Sequence, residues 1–189
     1  GREIAPQIEL RKALDLYAGV RPVRIVPGVP TPLHGREALD FVLVRESTEG
    51  LFYSTGLVTD DHAEETLRLT RKTSEKLFKF AFDLARQRKD AGIGPGKGTC
   101  VDKANVFQAF YCFRQIFEAE AAAHPDLVAD AAYVDATALW MVTQPERFDV
   151  LVTENVFGDI LSDLGAGLMG GLGLAPSADI GDEHAVFQP

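Results

Sequence analysis

The sequence predicts an α/β protein built on a largely parallel sheet. Three observations carry that expectation. Short apolar runs alternate with helix-length amphipathic segments along most of the chain. Four of the runs, DFVLVRE, GTCVDK, AAYVD and FDVLVTEN, end in charged or polar residues, as buried strands do where they leave a sheet. Residues 72–88, KTSEKLFKFAFDLARQR, place Leu77, Phe80, Ala81, Leu84 and Ala85 on one helical stripe, with basic residues at the end that suits the helix dipole.

In chain order, PQIELRKALDLY reads as a helix with Pro6 near its start, and RPVRIV as a short strand before the Pro/Gly loop VPGVPTPL. DFVLVRE reads as a buried strand. GLFYSTGLV and ETLRLTR read as β-rich pieces on either side of the acidic turn TDDHAEE. After the 72–88 helix, KDAGIGPGKG reads as a surface turn. It lacks the GKS or GKT of a phosphate loop and runs into a strand instead of a helix. GTCVDK (strand), VFQAFYCFRQIFEAEAAA (helix), AAYVD (strand) and ATALWMVTQ (helix, stopped by Pro145) follow. FDVLVTEN then leads into a helix over Phe157–Leu168, and AVFQP closes the chain as a short strand.

Composition bounds the function. Of 189 residues, 46% are apolar and 25% charged, ordinary for a globular protein. Nineteen Lys and Arg against 28 Asp and Glu give a net charge of −9, which disfavours nucleic acid or an anionic membrane surface as a partner. No run approaches the ~18–20 apolar residues of a membrane span. Cys100 and Cys112, without CxxC or metal-ligand spacing, read as reduced, buried thiols of a cytoplasmic protein. A chain opening at Gly1 beside a helix and stopping after a short strand reads as a fragment.

Charge gathers where strands end, the usual place for a ligand in an α/β protein. Arg45 and Glu46 close one strand, Asp102 and Lys103 another, Asp135 a third, and Glu154 and Asn155 a fourth; Arg11 and Arg21 lie upstream. Asp159 and Asp163 stand i and i+4 on one helix face, where like charges repel. Two readings are open. Asp159 sits in the first turn and complements the dipole while Asp163 faces water, or the two hold a divalent cation; the spacing alone favours the first. Singly, each of these residues reads as structural or solvated, and Asp135 alone reads as a helix cap. Together, arginine forks for carboxylates, aspartates for Mg²⁺ or Mn²⁺ and a lysine for proton transfer suit a metal-bound polycarboxylate.

VRESTEG, VDKANVF, YVDATAL and TENVFGDILSDLGAGLMGGLGLAPSADIG resemble the successive motifs of the isocitrate/isopropylmalate dehydrogenase family, the β-decarboxylating dehydrogenases, with tartrate/D-malate members nearest in character. The resemblance implies an isopropylmalate-dehydrogenase-like fold. Residues 1–18 would be an edge of the larger, cofactor-side domain, 19–170 the smaller substrate and dimerisation domain, and 171–189 a return into the larger one. It implies oxidation of a 2-hydroxy acid bearing a 3-carboxylate by NAD or NADP with Mg²⁺ or Mn²⁺, followed by loss of CO₂, in a homodimer. Arg11, Arg21 and Arg45 would clamp substrate carboxylates. Asp159 and Asp163 would hold the metal, joined by Asp135 of the other subunit. Lys103, also from that subunit, would take the hydroxyl proton, and Asn105 would approach the nicotinamide or substrate. Gln7 and Ile8, ahead of Arg11, match neither the isocitrate nor the isopropylmalate pattern and point to a small or polar substituent, as in malate or tartrate.

Two departures stand out. The family's proton-donating tyrosine position holds Phe52, which has no proton to give. In a strand, Tyr53 would face the opposite side and could replace it only through a bulge. The family's GDGIGPE-like opening and HGSAPDI-like nucleotide loop do not occur here, which leaves NAD versus NADP open. A non-catalytic homologue or dimerisation module is therefore the alternative.

Overall fold

The computed structural model describes residues 6–36 and 38–188. Among the described residues, nine strands and five α-helices follow in the order α1 (Pro6–Ala13), β1 (Ala18–Arg24), β2 (Asp40–Glu46), β3 (Leu57–Val58), β4 (Ala63–Glu64), α2 (Arg71–Asp90), β5 (Lys97–Asp102), α3 (Gln108–Ala121), β6 (Val128–Tyr133), α4 (Val134–Thr143), β7 (Val150–Thr153), α5 (Asn155–Met169), β8 (Ser177–Ile180) and β9 (Ala185–Gln188). Seven strands form one sheet in the order β6-β5-β7-β2-β1-β8-β9. β6, β5, β7 and β2 are parallel, as expected, and β1, β8 and β9 extend the sheet antiparallel.

Both faces of the sheet are covered. Strand alternation sends Val42 and Val44 toward α2 and α3, where Leu77, Phe78, Phe82, Phe113 and Phe117 pack. It sends Phe41, Leu43, Val101 and Leu151 the other way, against Met141, Leu161, Leu168 and Met169. Leu161, Leu168 and Met169 therefore belong to the chain's own core. By sequence, GDILSDLGAGLMGGL carries more apolar residues (Leu161, Leu164, Leu168 and Met169) than one helix stripe needs and reads as a candidate dimer contact; the structure instead packs Leu164 against this same core.

Several local expectations are corrected. The leading helix stops at Ala13, short of Tyr17, because Asp15 takes a left-handed φ of 49° and Leu16 and Tyr17 turn down into the core. GLFYSTGLV is not a strand. Gly50–Tyr53 is a 3₁₀ turn, and only Leu57–Val58 pairs, with Ala63–Glu64. Side-chain bonds account for the turn. Glu46 accepts from the backbone N–H of Thr48 (2.6 Å) and Glu49 (2.9 Å), and Glu49 accepts from the N–H of Thr70 at 2.7 Å, which ties the turn to the start of α2. AAYVD ends as a strand at Tyr133, so Asp135 lies in the first turn of α4. β8 has no counterpart among the strands the sequence predicts.

The glycine-rich segment is a turn around a buried carboxylate. Asp149 is 1% exposed. It accepts from the backbone N–H of Gly96 and of Lys97, each at 2.9 Å, and from Arg88 Nε at 2.6 Å. A side chain at Gly94 would collide with that carboxylate. The Gly96 and Lys97 amides are thereby taken and offer nothing to a phosphate. Cys100 is buried as expected, whereas Cys112 is exposed on α3. Among the described residues no helix is long and apolar enough to cross a membrane.

Candidate active site

The site forms where β2 ends and β7 runs into α5. Arg45 pairs with Thr153 in the parallel ladder, so the Arg45 side chain and the first turns of α5 are neighbours by register. Glu154 caps α5, its carboxylate accepting from the Phe157 N–H at 2.6 Å. The helix therefore begins at Asn155, earlier than the sequence pattern indicated, and Asp159 falls in its second turn. The dipole-complementing reading of Asp159 fails on that point.

Arg45 is 4% exposed. Its Nε and Nη2 both donate to Asn155 Oδ1, at 2.9 and 2.8 Å, and Nη1 donates to Asp159. Burial lowers the Arg45 pKa and Asp159 opposes the shift. The close approach needs Gly158: a Cβ there would lie 2.5 Å from Arg45 Cγ. Glycine in mid-helix is costly, and here it lets α5 lie directly on the arginine stem.

Arg11, Arg21, Arg45, Asp159 and Asp163 all line one cavity of about 270 Å³, with Ser162, Leu172, Ser177 and Gln188 completing much of its wall. Five sequence-predicted site residues thus meet. Gln7 and Ile8 do not line this cavity; they lie on α1, where the Ile8 carbonyl accepts from Tyr53.

Lys103 and Asp135 stand apart from the cavity. Lys103 Nζ donates to Asp135 Oδ1 at 2.7 Å, and that ammonium holds the Asp135 carboxyl below its usual range. Asp135 makes no helix cap. Asn105 is exposed in the turn after Lys103. That turn is braced by Asp102, fully buried, which accepts from the Ala104 N–H at 2.8 Å and takes a bidentate fork from Arg114 at 2.7 and 2.8 Å. Arg114 gave no sequence signal, since its partner lies across the strand–helix junction.

The chain matches the Isocitrate/isopropylmalate dehydrogenase family model over residues 2–189. The chain belongs to the isocitrate/isopropylmalate dehydrogenase family. It is 47% identical over 184 residues to the 3-isopropylmalate/3-methylmalate dehydrogenase of Methanocaldococcus jannaschii, covering 96% of this chain and 54% of that protein. It is 44% identical over 188 residues to the isocitrate dehydrogenase (NADP) of Thermus thermophilus, covering 98% of this chain and 37% of that one. The crystal structure of isocitrate dehydrogenase from Methylococcus capsulatus superposes with a TM-score of 0.87 at 42% identity, over 99% of this chain and 55% of that chain. The chain spans about half the length, or less, of these dehydrogenases.

Tyr53 does not line this cavity. Its hydroxyl reaches the carbonyls of Ile8 (2.7 Å) and Ser47 (3.1 Å), and burial pushes its pKa up to about 12. Phe52 instead lies against the site, its ring centroid 4.9 Å from Arg45 Cζ. Tyr53→Phe is accordingly expected to lower stability by about 1 kcal/mol through loss of the tie to α1. It should leave turnover unchanged, which urea denaturation beside steady-state kinetics would check.

Proposed function

We propose that this protein carries out metal-dependent oxidation of a 2-hydroxy acid bearing a 3-carboxylate, passing hydride to NAD or NADP, with loss of CO₂ from the β-keto product. The observation that carries the reading is one cavity lined by three arginines and an aspartate pair on one helix face. Arg11, Arg21 and Arg45 bind the substrate carboxylates. Asp159 and Asp163 bind Mg²⁺ or Mn²⁺. Among the described residues no group of three His, Cys, Asp or Glu side chains is placed to hold a metal. A pair of hard carboxylate oxygens fits these ions, which are commonly held by one or two carboxylates plus substrate oxygens and water. When bound, the ion polarises the hydroxyl and then the ketone.

Lys103 takes the hydroxyl proton and Asp135 adds a metal ligand, both across a homodimer. That neither residue lines this chain's own cavity supports that division. So does an exposed apolar face on α4 and α5, where Leu139 (60%), Val142 (48%) and Ile160 (60%) lie open. In this reading residues 19–170 are the substrate and dimerisation unit, and 1–18 and 171–189 belong with the cofactor side. Phe52 cannot protonate the enol product, so that proton comes from another donor.

The test is metal binding by the protein at its full natural length. Saturating Mn²⁺ should raise the melting temperature by mass action, and Asp159→Asn should abolish most of the shift. An unchanged response in Asp159→Asn would remove the metal reading.

A further inference from the structure

Asp179, on β8, has no role in the scheme above, yet it is 2% exposed and sits directly behind two of the three arginines. Its oxygens are shared out between them. Oδ2 accepts from Arg11 Nε at 2.9 Å and Oδ1 from Arg21 Nη2 at 2.8 Å. Arg21 Nη1 also donates to the Ala178 carbonyl at 2.9 Å, so β8 fixes that fork from two sides. Both arginine side chains are only 12% exposed. The carboxylate therefore neutralises charge in a place that water screens poorly.

The formal charges at the cavity then cancel. Arg11, Arg21 and Arg45 give three positive, and Asp159, Asp163 and Asp179 three negative. A divalent ion on the aspartate pair brings the surplus to two positive, which matches a dianion better than a trianion. We propose that Asp179 is a positioning and specificity-determining residue that locks the Arg11 and Arg21 forks and, by cancelling one cationic charge, biases the cavity toward dicarboxylate over tricarboxylate 2-hydroxy acids. This rests on the cavity being the hydroxy-acid site proposed above. An amide at this position would supply one acceptor in place of two and would turn N–H donors toward a guanidinium.

The test is calorimetric binding of two unreactive anions, succinate and tricarballylate, to the full-length protein with saturating Mg²⁺ and without nucleotide. The wild type should bind succinate at least as tightly as tricarballylate. Asp179→Asn should move the affinity ratio toward tricarballylate by about tenfold or more, and kcat/KM for malate against isocitrate should move the same way. Equal losses for both anions, with the ratio unchanged, would reduce Asp179 to a structural role and overturn the proposal. If Asp179→Asn does not fold, the wild type decides alone, and a preference for tricarballylate overturns it. Arg45→Gln separates this proposal from the reading beneath it. Succinate binding that is lost in Arg45→Gln, beside an Asp179→Asn ratio that does not move, defeats only the role of Asp179. Binding of neither anion by the wild type, or affinities indifferent to Arg45→Gln, defeats both.

Discussion

Lys103→Met is expected to slow hydroxy-acid oxidation by ~10²–10⁴-fold, the usual effect of removing a general base, while leaving the fold intact. Methionine keeps the length of the stem and removes the amine. The partner it abandons, Asp135, is exposed, and an exposed pair adds little to stability. The turn that presents Lys103 is held independently by Asp102 through Ala104 and Arg114. Nucleotide reduction under saturating substrate should therefore fall with no change in melting temperature. A variant that kept most of its turnover would show that another group takes the proton.

Arg45→Gln is expected to raise KM by ~10²–10³-fold, because a buried charged donor lost from a charge pair typically costs ~2–5 kcal/mol. The arginine does three things at once. It faces the cavity, it donates twice to Asn155 Oδ1, and it pairs with Asp159. Glutamine keeps part of the stem that Gly158 accommodates but cannot span all three partners. A buried Asn155 acceptor left short of donors should also lower stability by about 1–3 kcal/mol. Arg45→Lys should rescue little, since an ammonium cannot reproduce the fork. Steady-state kinetics and denaturant midpoints on the two variants would separate binding from folding. An unaltered KM in Arg45→Gln would place the substrate carboxylates elsewhere.

What was legible in the sequence, and what was not, divides by range. The parallel strands were readable because continuous apolar runs such as FVLV and VLV have only one place to go in an α/β sheet. The helix bearing Asp159 and Asp163 was readable from its periodicity, and the side on which both aspartates fall follows from 3.6 residues per turn. The turn at Gly50–Tyr53 was misread as strand because its aromatic, β-prone composition is overridden by carboxylates of Glu46 and Glu49 bonding to backbone N–H groups, one of them at Thr70. Asp179 was overlooked for a related reason. Its importance lies in Arg11 and Arg21, more than 150 residues away in the chain, and β8 shows as a strand only through its pairing with β1. The same holds for Arg114 behind Lys103 and for Asp149 inside the glycine-rich turn. Residue types at strand ends announced the charges, and only the tertiary register showed which charges meet.

The central claim is a site divided between two copies of the chain, with Arg45 and Asp159 from one and Lys103 and Asp135 from the other. Its most direct test is complementation. The full-length Lys103→Met and Asp159→Asn proteins should each be nearly inactive alone. Unfolded together and refolded as a mixture, they should regain up to about a quarter of wild-type turnover, since half the dimers are mixed and each mixed dimer holds one intact site. A mixture no more active than its two components, in dimers shown by mass to have exchanged subunits, would contradict the account.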